Sequence, residues 1–359
     1  MADLVAEHIA ALKDEDWAIR EEAATRLGGQ KDARAVAPLV ALLRDRDRSV
    51  RDAAVAALTA IGAPSVPAAG ACLADPDLGV QEAASAVLAS IADGRVLDPL
   101  LRALASADWI VRMHAAKALG RIRDAGAVGP LVPLLQDKVK AVREEAGGAL
   151  AAIGDPAIPA LLNALAHDEW LVRLHAVESL GKTKSPRAVE PLLSTLFKDG
   201  DSAVREDAVR ALGEIGDPKA VDFLFTAMRE PGLRTLAVEA LGRIGDRRAV
   251  SALVDVVAGT NPPPATRPVA GCGDQWNEEI VTKGAAVRAL GSIGDDRAIP
   301  ALVAALEPTY TRSEAAAALT KFGAKTIPAL IPLLTHQDEN LRYHVKETLA
   351  LVGWRPGRV

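Results

Sequence analysis

A chain of 359 residues with a formal net charge of −5 and a pI near 5.8 lacks the basic balance expected of a nucleic-acid binder. Half of its residues are hydrophobic but only 3% are aromatic, so closely packed thin helices are expected in place of one large core. Its two cysteines, Cys72 and Cys272, lie far apart, and no run of about 18 apolar residues occurs, which excludes a disulfide framework and a spanning helix and points to a reducing cytoplasm.

The N-terminal stretch, Met1 to His8, carries charges within its first apolar run and reads as a helix, not a signal peptide. From Asp16 onward one skeleton recurs: acidic–x–x–Val-Arg–x–x–Ala–x–x–Ala-Leu-Gly. It is clearest from Asp108 to Gly120, and Asp16 to Gly28, Asp201 to Gly213 and Asp338 to Ala350 are plain copies. The leucine falls at 27, 58, 88, 119, 150, 180, 212, 241, 290, 319 and 349. A period near 30 residues marks a repeat array, expected here as one elongated domain over residues 1–359.

Each unit reads as two antiparallel helices, A and B. In residues 33–62, helix A is Ala35 to Leu43, the turn is Arg44 to Asp47, and helix B is Val50 to Ile61. Apolar residues in B recur at three and four, as Val50, Ala54, Leu58 and Ile61. Glycines at 62, 154, 216, 245, 294 and 323 supply left-handed C-terminal caps. Acids four before the arginine (Asp16, Asp47, Asp77, Asp108, Glu169, Asp201, Glu230, Glu279, Asp338) suit an N-cap or first-turn role. Prolines such as Pro38, Pro67, Pro130 and Pro159 stand early in helix A, harmless in the first turn and kinking deeper in. The arginine column, nine members from Arg20 to Arg342, resembles a phosphate stripe, but inter-repeat bridging is the stronger reading because each arginine flanks a buried valine.

One step, from Leu241 to Leu290, is about 19 residues too long. The extra stretch, Gly259 to Trp276, is rich in Pro and Gly and is expected to be a loop between helices A and B of the ninth repeat. Such an insertion belongs either to a binding face or to neutral surface. Cys272, between two glycines, has no evident basic partner to activate it.

The recurring Asp-x-x-Val-Arg-x-x-Ala-x-x-Ala-Leu-Gly-x-Ile-Gly-Asp resembles HEAT-like repeats of the phycobilisome-lyase type, over about residues 3–353. The resemblance implies an all-α, right-handed α-solenoid of about eleven HEAT-like hairpins, with the B helices lining the concave face. It also implies several functional classes, since the family holds bilin lyases, a di-iron hydroxylase and binding scaffolds.

At about 100° per residue, positions three before, one after and five after the arginine point away from the core of helix B. Three before stand Trp17, Trp109 and Trp170; one after stand Met113 and Leu174 among Glu21, Asp52, Glu82, Glu144 and Glu206. Trp109 with Met113, and Trp170 with Leu174, form two apolar patches on a face expected to be wet. Packing of each tryptophan on the next repeat's turn is the competing reading. Two after the arginine stand His114, Glu145, His175 and Asp207 in consecutive repeats. The similar deoxyhypusine hydroxylase carries Arg-His-Glu at these positions. Here Glu22, Glu145 and Glu314 match its glutamate, but Glu21, Glu144 and Ser313 replace its histidine, so a hydrogen-bonded ladder is expected and no metal. No phosphate loop, nucleophile elbow or cysteine cluster occurs, and no cofactor is expected.

These features predict a scaffold that binds a protein or peptide segment, basic or amphipathic, on the face formed by the B helices. Its apolar anchors are Trp109, Met113, Trp170 and Leu174, with Glu144 and Glu206 as acidic surround. A bilin-lyase-like or chaperone-like enzyme is the alternative, ahead of a metal-dependent hydroxylase or a nucleic-acid binder.

Overall fold

A computed structural model describes residues 3–91, 94–230, 232–260 and 272–355, the side chains of 94 and 272–277 excepted. Among these residues are twenty-two α-helices, twelve short 3₁₀ helices and no strand, as the leucine register predicts. They divide into two compact units, Met1–Thr183 with six helix pairs and Lys184–Val359 with five. All eleven register leucines, Leu27 through Leu349, are fully buried, each at the centre of its own pair. No single helix among the described residues is long and apolar enough to cross a membrane.

The B helices of the first unit are Trp17–Gln30, Arg48–Ile61, Leu78–Ser90, Trp109–Ile122, Lys140–Ile153 and Trp170–Thr183. Aspartates set where they start. The Asp108 carboxylate accepts from the Ile110 N–H at 2.9 Å, and Asp16, Asp77, Asp201 and Asp338 cap in the same way. Asp47 stands at an N-cap but turns its carboxylate to Arg20, 2.8 Å away. Two further expected caps fail. Helix Arg234–Ile244 begins beyond Glu230, which meets Arg205 at 3.4 Å, and Glu279 lies inside helix Cys272–Ile293, paired with Lys283 at 3.0 Å.

Helix A differs from the single run read over 35–43. It is a 3₁₀ turn Ala33–Ala35, an α-helix Val36–Ala41 and a second 3₁₀ turn Leu42–Arg44. Where a second proline follows, the α segment stops. Val128–Leu131 passes into 3₁₀ at Val132–Gln136 beside Pro133, and Ile327–Leu330 into Ile331–Thr335 beside Pro332. A proline without its N–H cannot close the i→i−4 bond, and the tighter i→i+3 pattern takes over.

The insertion also differs from its sequence reading. Helix Cys272–Ile293 already includes residues 272–276, which were expected in a loop. The prolines end at Pro268, and the helix begins four residues further on. Residues 261–271 lie outside the described residues, as do the side chains of Cys272 and Trp276.

The glycine after the register leucine lets neighbouring B helices touch. A Cβ at Gly120 would lie 2.9 Å from Cα of Ala149, and at Gly28 2.8 Å from Cα of Ala57. Gly213 against Ala240 and Gly242 against Ala289 repeat the contact in the second unit. Gly148 is also helical, but a Cβ there meets nothing within 4 Å. Gly120→Ala is therefore expected to destabilise by about 1–2 kcal/mol, because backbone must move apart. Gly148→Ala is expected to stabilise by up to about 1 kcal/mol through helix propensity. Urea midpoints of the two variants, measured side by side, check the opposite signs.

Candidate partner-binding face

Seven of the nine column arginines are engaged inward, while Arg205 instead lies 3.4 Å from Glu230. Arg20, Arg51, Arg112, Arg143, Arg173, Arg312 and Arg342 each donate to the carbonyls six and five residues earlier, stapling the A–B turn to the B helix. Gln81 does the same with one bond, to the Asp75 carbonyl at 2.6 Å. Arg112 also forks onto Asp137 of the next repeat, at 2.8 and 2.9 Å, and Arg20 onto Asp45 at the same distances. The Arg20 hydrogen bonds hold the Asp45 carboxyl below its usual range. Guanidiniums so committed to carbonyls and buried carboxylates leave no exposed stripe for phosphates.

The opposite side of the B helices in the first unit is wet and partly apolar. Trp109 and Trp170 are both 41% exposed, with Met113 and Leu174 half-buried one turn on. Trp17 is also exposed at this position, and so is Leu78, at 55%. Leu78 stands in the tryptophan column, but a leucine in repeats rich in leucine does not stand out in the sequence as a surface residue. The column's remaining members are basic and tied to their own helix. Arg48 lies 3.5 Å from Asp52, and Lys140 lies 3.3 Å from Glu144. Glu144 is exposed, and a solvated i,i+4 pair of this kind is weak enough to be exchanged for a partner's cation. Glu206 stands at the corresponding position of Ser202–Ile215 in the second unit, 3.4 Å from Arg210. The tryptophan column there holds Ser202, Pro231, Ile280, Thr309 and Glu339, with no aromatic residue. Tyr343 of that unit is exposed, and its hydroxyl donates to Glu347 at 2.8 Å.

Among the described residues of the first unit, no side-chain hydrogen bond joins His114, Glu145 and His175, three positions of the expected ladder. His175 is buried; its Nε2 accepts from Arg143 Nε at 3.1 Å and its Nδ1 lies 2.9 Å from Glu178. Asp207 belongs to the second unit and pairs with Arg210 on its own helix. No three His, Cys, Asp or Glu side chains among the described residues converge as a metal site. His114 is buried with its Nδ1 unpartnered. Burial holds its pKa below 6.5, against the attraction of Glu82 and Glu145. The unfolded chain then takes up the proton first, so this contribution to stability is full above pH 6.5 and is lost as pH falls through the folded value. His114→Gln is expected to flatten the fall in urea midpoint between pH 7 and pH 5 relative to wild type.

A cavity of about 450 Å³ lies beside Pro67, Gly70, Pro99 and Val111, with Arg102 as its one charged wall. It gathers no convergent set of catalytic groups of the kind an enzyme pocket shows.

Stacked helical hairpins, a buried leucine per repeat and a turn-stapling arginine define an α-helical repeat solenoid. The HEAT-repeat profile matches residues 5–89, 66–146, 97–170, 130–196, 158–231 and 189–270, and the PBS lyase HEAT-like repeat matches residues 282–308. The chain belongs to the HEAT-repeat family. A comparison with curated proteins found no match. Among solved structures, the karyopherin Kap121p bound to the extreme C-terminus of the protein phosphatase Cdc14p is similar at a TM-score of 0.61 and 12% identity, covering 98% of this chain and 45% of that one. Kap95p, solved with RanGDP, is similar at a TM-score of 0.53 and 14% identity, covering 98% and 51%. This chain thus spans about half the length of these karyopherins, and the likeness is one of fold. The complex of CpcE and CpcF of phycocyanin lyase from Nostoc sp. PCC7120 matches at 22% identity over 71% of this chain and 94% of that one, but its TM-score of 0.38 carries no argument.

Proposed function

We propose that this protein is an interaction scaffold that holds a segment of another protein against the B helices of its first unit. The observation that carries the reading is the exposure of Trp109 and Trp170 on one face of a chain with few aromatic residues. Trp109 and Met113 make one apolar anchor, and Trp170 and Leu174 the second. Glu144 stands between them and favours a basic or amphipathic segment. Glu206 marks an acidic position on the second unit's own B-helix face. The fold-level neighbours support the ligand class, since Kap121p is described with the C-terminus of a phosphatase bound. A solenoid of this kind offers an extended surface for such a segment.

The test is affinity capture from the native host with wild-type protein and a Trp109→Ala, Trp170→Ala variant in parallel. A partner retained by wild type and lost by the variant supports the reading. Equal retention by a folded variant moves the site elsewhere. The enzyme reading would be favoured by a visible absorption band in the purified protein, a signature of bilin or iron.

A further inference from the structure

The first unit is an internal duplication. An offset of 92 residues relates Trp17 to Trp109, Arg48 to Lys140 and Leu78 to Trp170. The same offset relates Asp16 to Asp108, Arg20 to Arg112, Asp45 to Asp137, Pro38 to Pro130 and Pro67 to Pro159. Backbone detail follows it. Lys31 and Arg123 are both left-handed, at φ 54° and 59°, and Gly62 and Gly154 share φ 78° and 79°. The bidentate pair Arg20–Asp45 recurs as Arg112–Asp137, and the contact of Gly28 with Ala57 recurs as that of Gly120 with Ala149. Adjacent repeats share the framework of acid, valine, arginine, alanine, leucine and early proline, but not the left-handed lysine or arginine at the helix end nor the residue of the exposed column. The unit of similarity is therefore three repeats, and two such blocks fill Met1–Thr183.

Each block presents the same triplet on its wet face: apolar, ion-paired base, apolar. In block one these are Trp17, Arg48 with Asp52, and Leu78; in block two they are Trp109, Lys140 with Glu144, and Trp170. The blocks differ in the next column. Block one carries Glu21, Asp52 and Glu82 there, whereas block two carries Met113, Glu144 and Leu174. Asp52 pairs with Arg48, and Glu82 is exposed. Duplication has thus given two equivalent subsites with different chemistry, one acidic with apolar ends and one predominantly apolar.

Resting on the proposed scaffold function, we infer that the two blocks form a polar pair of subsites for a single protein segment. Its basic half lies on block one and its bulky apolar half on block two. Charge complementarity selects this occupant, since lysine or arginine stems lie against Trp17 and Leu78 while their charges meet Glu21 and Glu82. An anionic membrane or a nucleic acid would meet the acids of block one unfavourably. With helix layers about 10 Å apart, Trp17 and Trp170 stand about 50 Å apart along the stack, the length of about 15 extended residues.

The test is a phage-displayed library of random peptides about 20 residues long, panned on the purified full chain. Enriched sequences are expected to cluster Lys and Arg in one half and Leu, Phe and Trp in the other. The best peptide, synthesised and followed by fluorescence anisotropy, should lose tenfold or more in affinity with Trp109→Ala or Trp170→Ala. It should lose as much with Glu21→Lys and Glu82→Lys together, and its binding should weaken with salt. Circular dichroism melts verify that each variant is folded, and Trp109→Phe should bind nearly as wild type. Peptides that depend on the tryptophans but carry no basic half, or ignore the lysine substitutions, would overturn the polarity and leave the scaffold reading intact. No enrichment, or peptides indifferent to both tryptophans, would overturn both.

Discussion

Replacing Arg112 by alanine is expected to lower the unfolding free energy by about 3–5 kcal/mol, the range for removing one partner of a buried ion pair. Asp137 is almost fully buried, and without Arg112 it keeps only the Val139 N–H, 2.9 Å from Oδ1. The carbonyls of Ser106 and Ala107 lose their donor in the same step. Arg112→Lys recovers little, because an ammonium cannot fork onto the carboxylate and reach both carbonyls at once. Denaturant unfolding of the two variants, compared with Arg48→Ala at an exposed pair, measures this. A loss below about 1 kcal/mol for Arg112→Ala would mean that the turn staple is not a structural element of the repeat.

On the proposed scaffold function, Trp109→Ala and Trp170→Ala are each expected to weaken binding of a partner segment by about 2 kcal/mol, roughly thirtyfold in Kd, as central aromatic anchors do. The melting temperature changes far less than for Arg112→Ala, because both indoles are 41% exposed in the free chain. Titration calorimetry paired with thermal melts separates the two effects. A large drop in melting temperature with unchanged affinity would identify the tryptophans as packing between repeats.

The fold was legible because one residue per repeat carries it. Leu27, Leu58 and their successors recur at nearly constant spacing, and each is fully buried. The caps were legible wherever a short aspartate could reach the first free N–H groups, as at Asp108. Three things were not legible. Lys31, Arg123 and Lys184 end helices in the left-handed region without a glycine, since the repeat packing imposes a conformation that local preference disfavours. The start of helix Cys272–Ile293 was hidden by the proline and glycine composition of the segment before it. The partner of His175 was hidden because Arg143 reaches it across a repeat, a contact that no column of like positions reveals. On the candidate face, exposure followed from helix geometry, but Leu78 and the pairing of Lys140 with Glu144 needed coordinates to be noticed.

Hydrogen–deuterium exchange of the full chain, with and without the co-purified partner segment, tests the central claim most directly. Residues 109–113, 140–144 and 170–174, at the N-terminal ends of three B helices, are predicted to gain protection on binding, while the A helices Leu97–Ala103 and Ile158–Ala164 stay unchanged. Protection confined to the A helices or to the second unit, with those three B-helix ends exchanging as in the free chain, would contradict it.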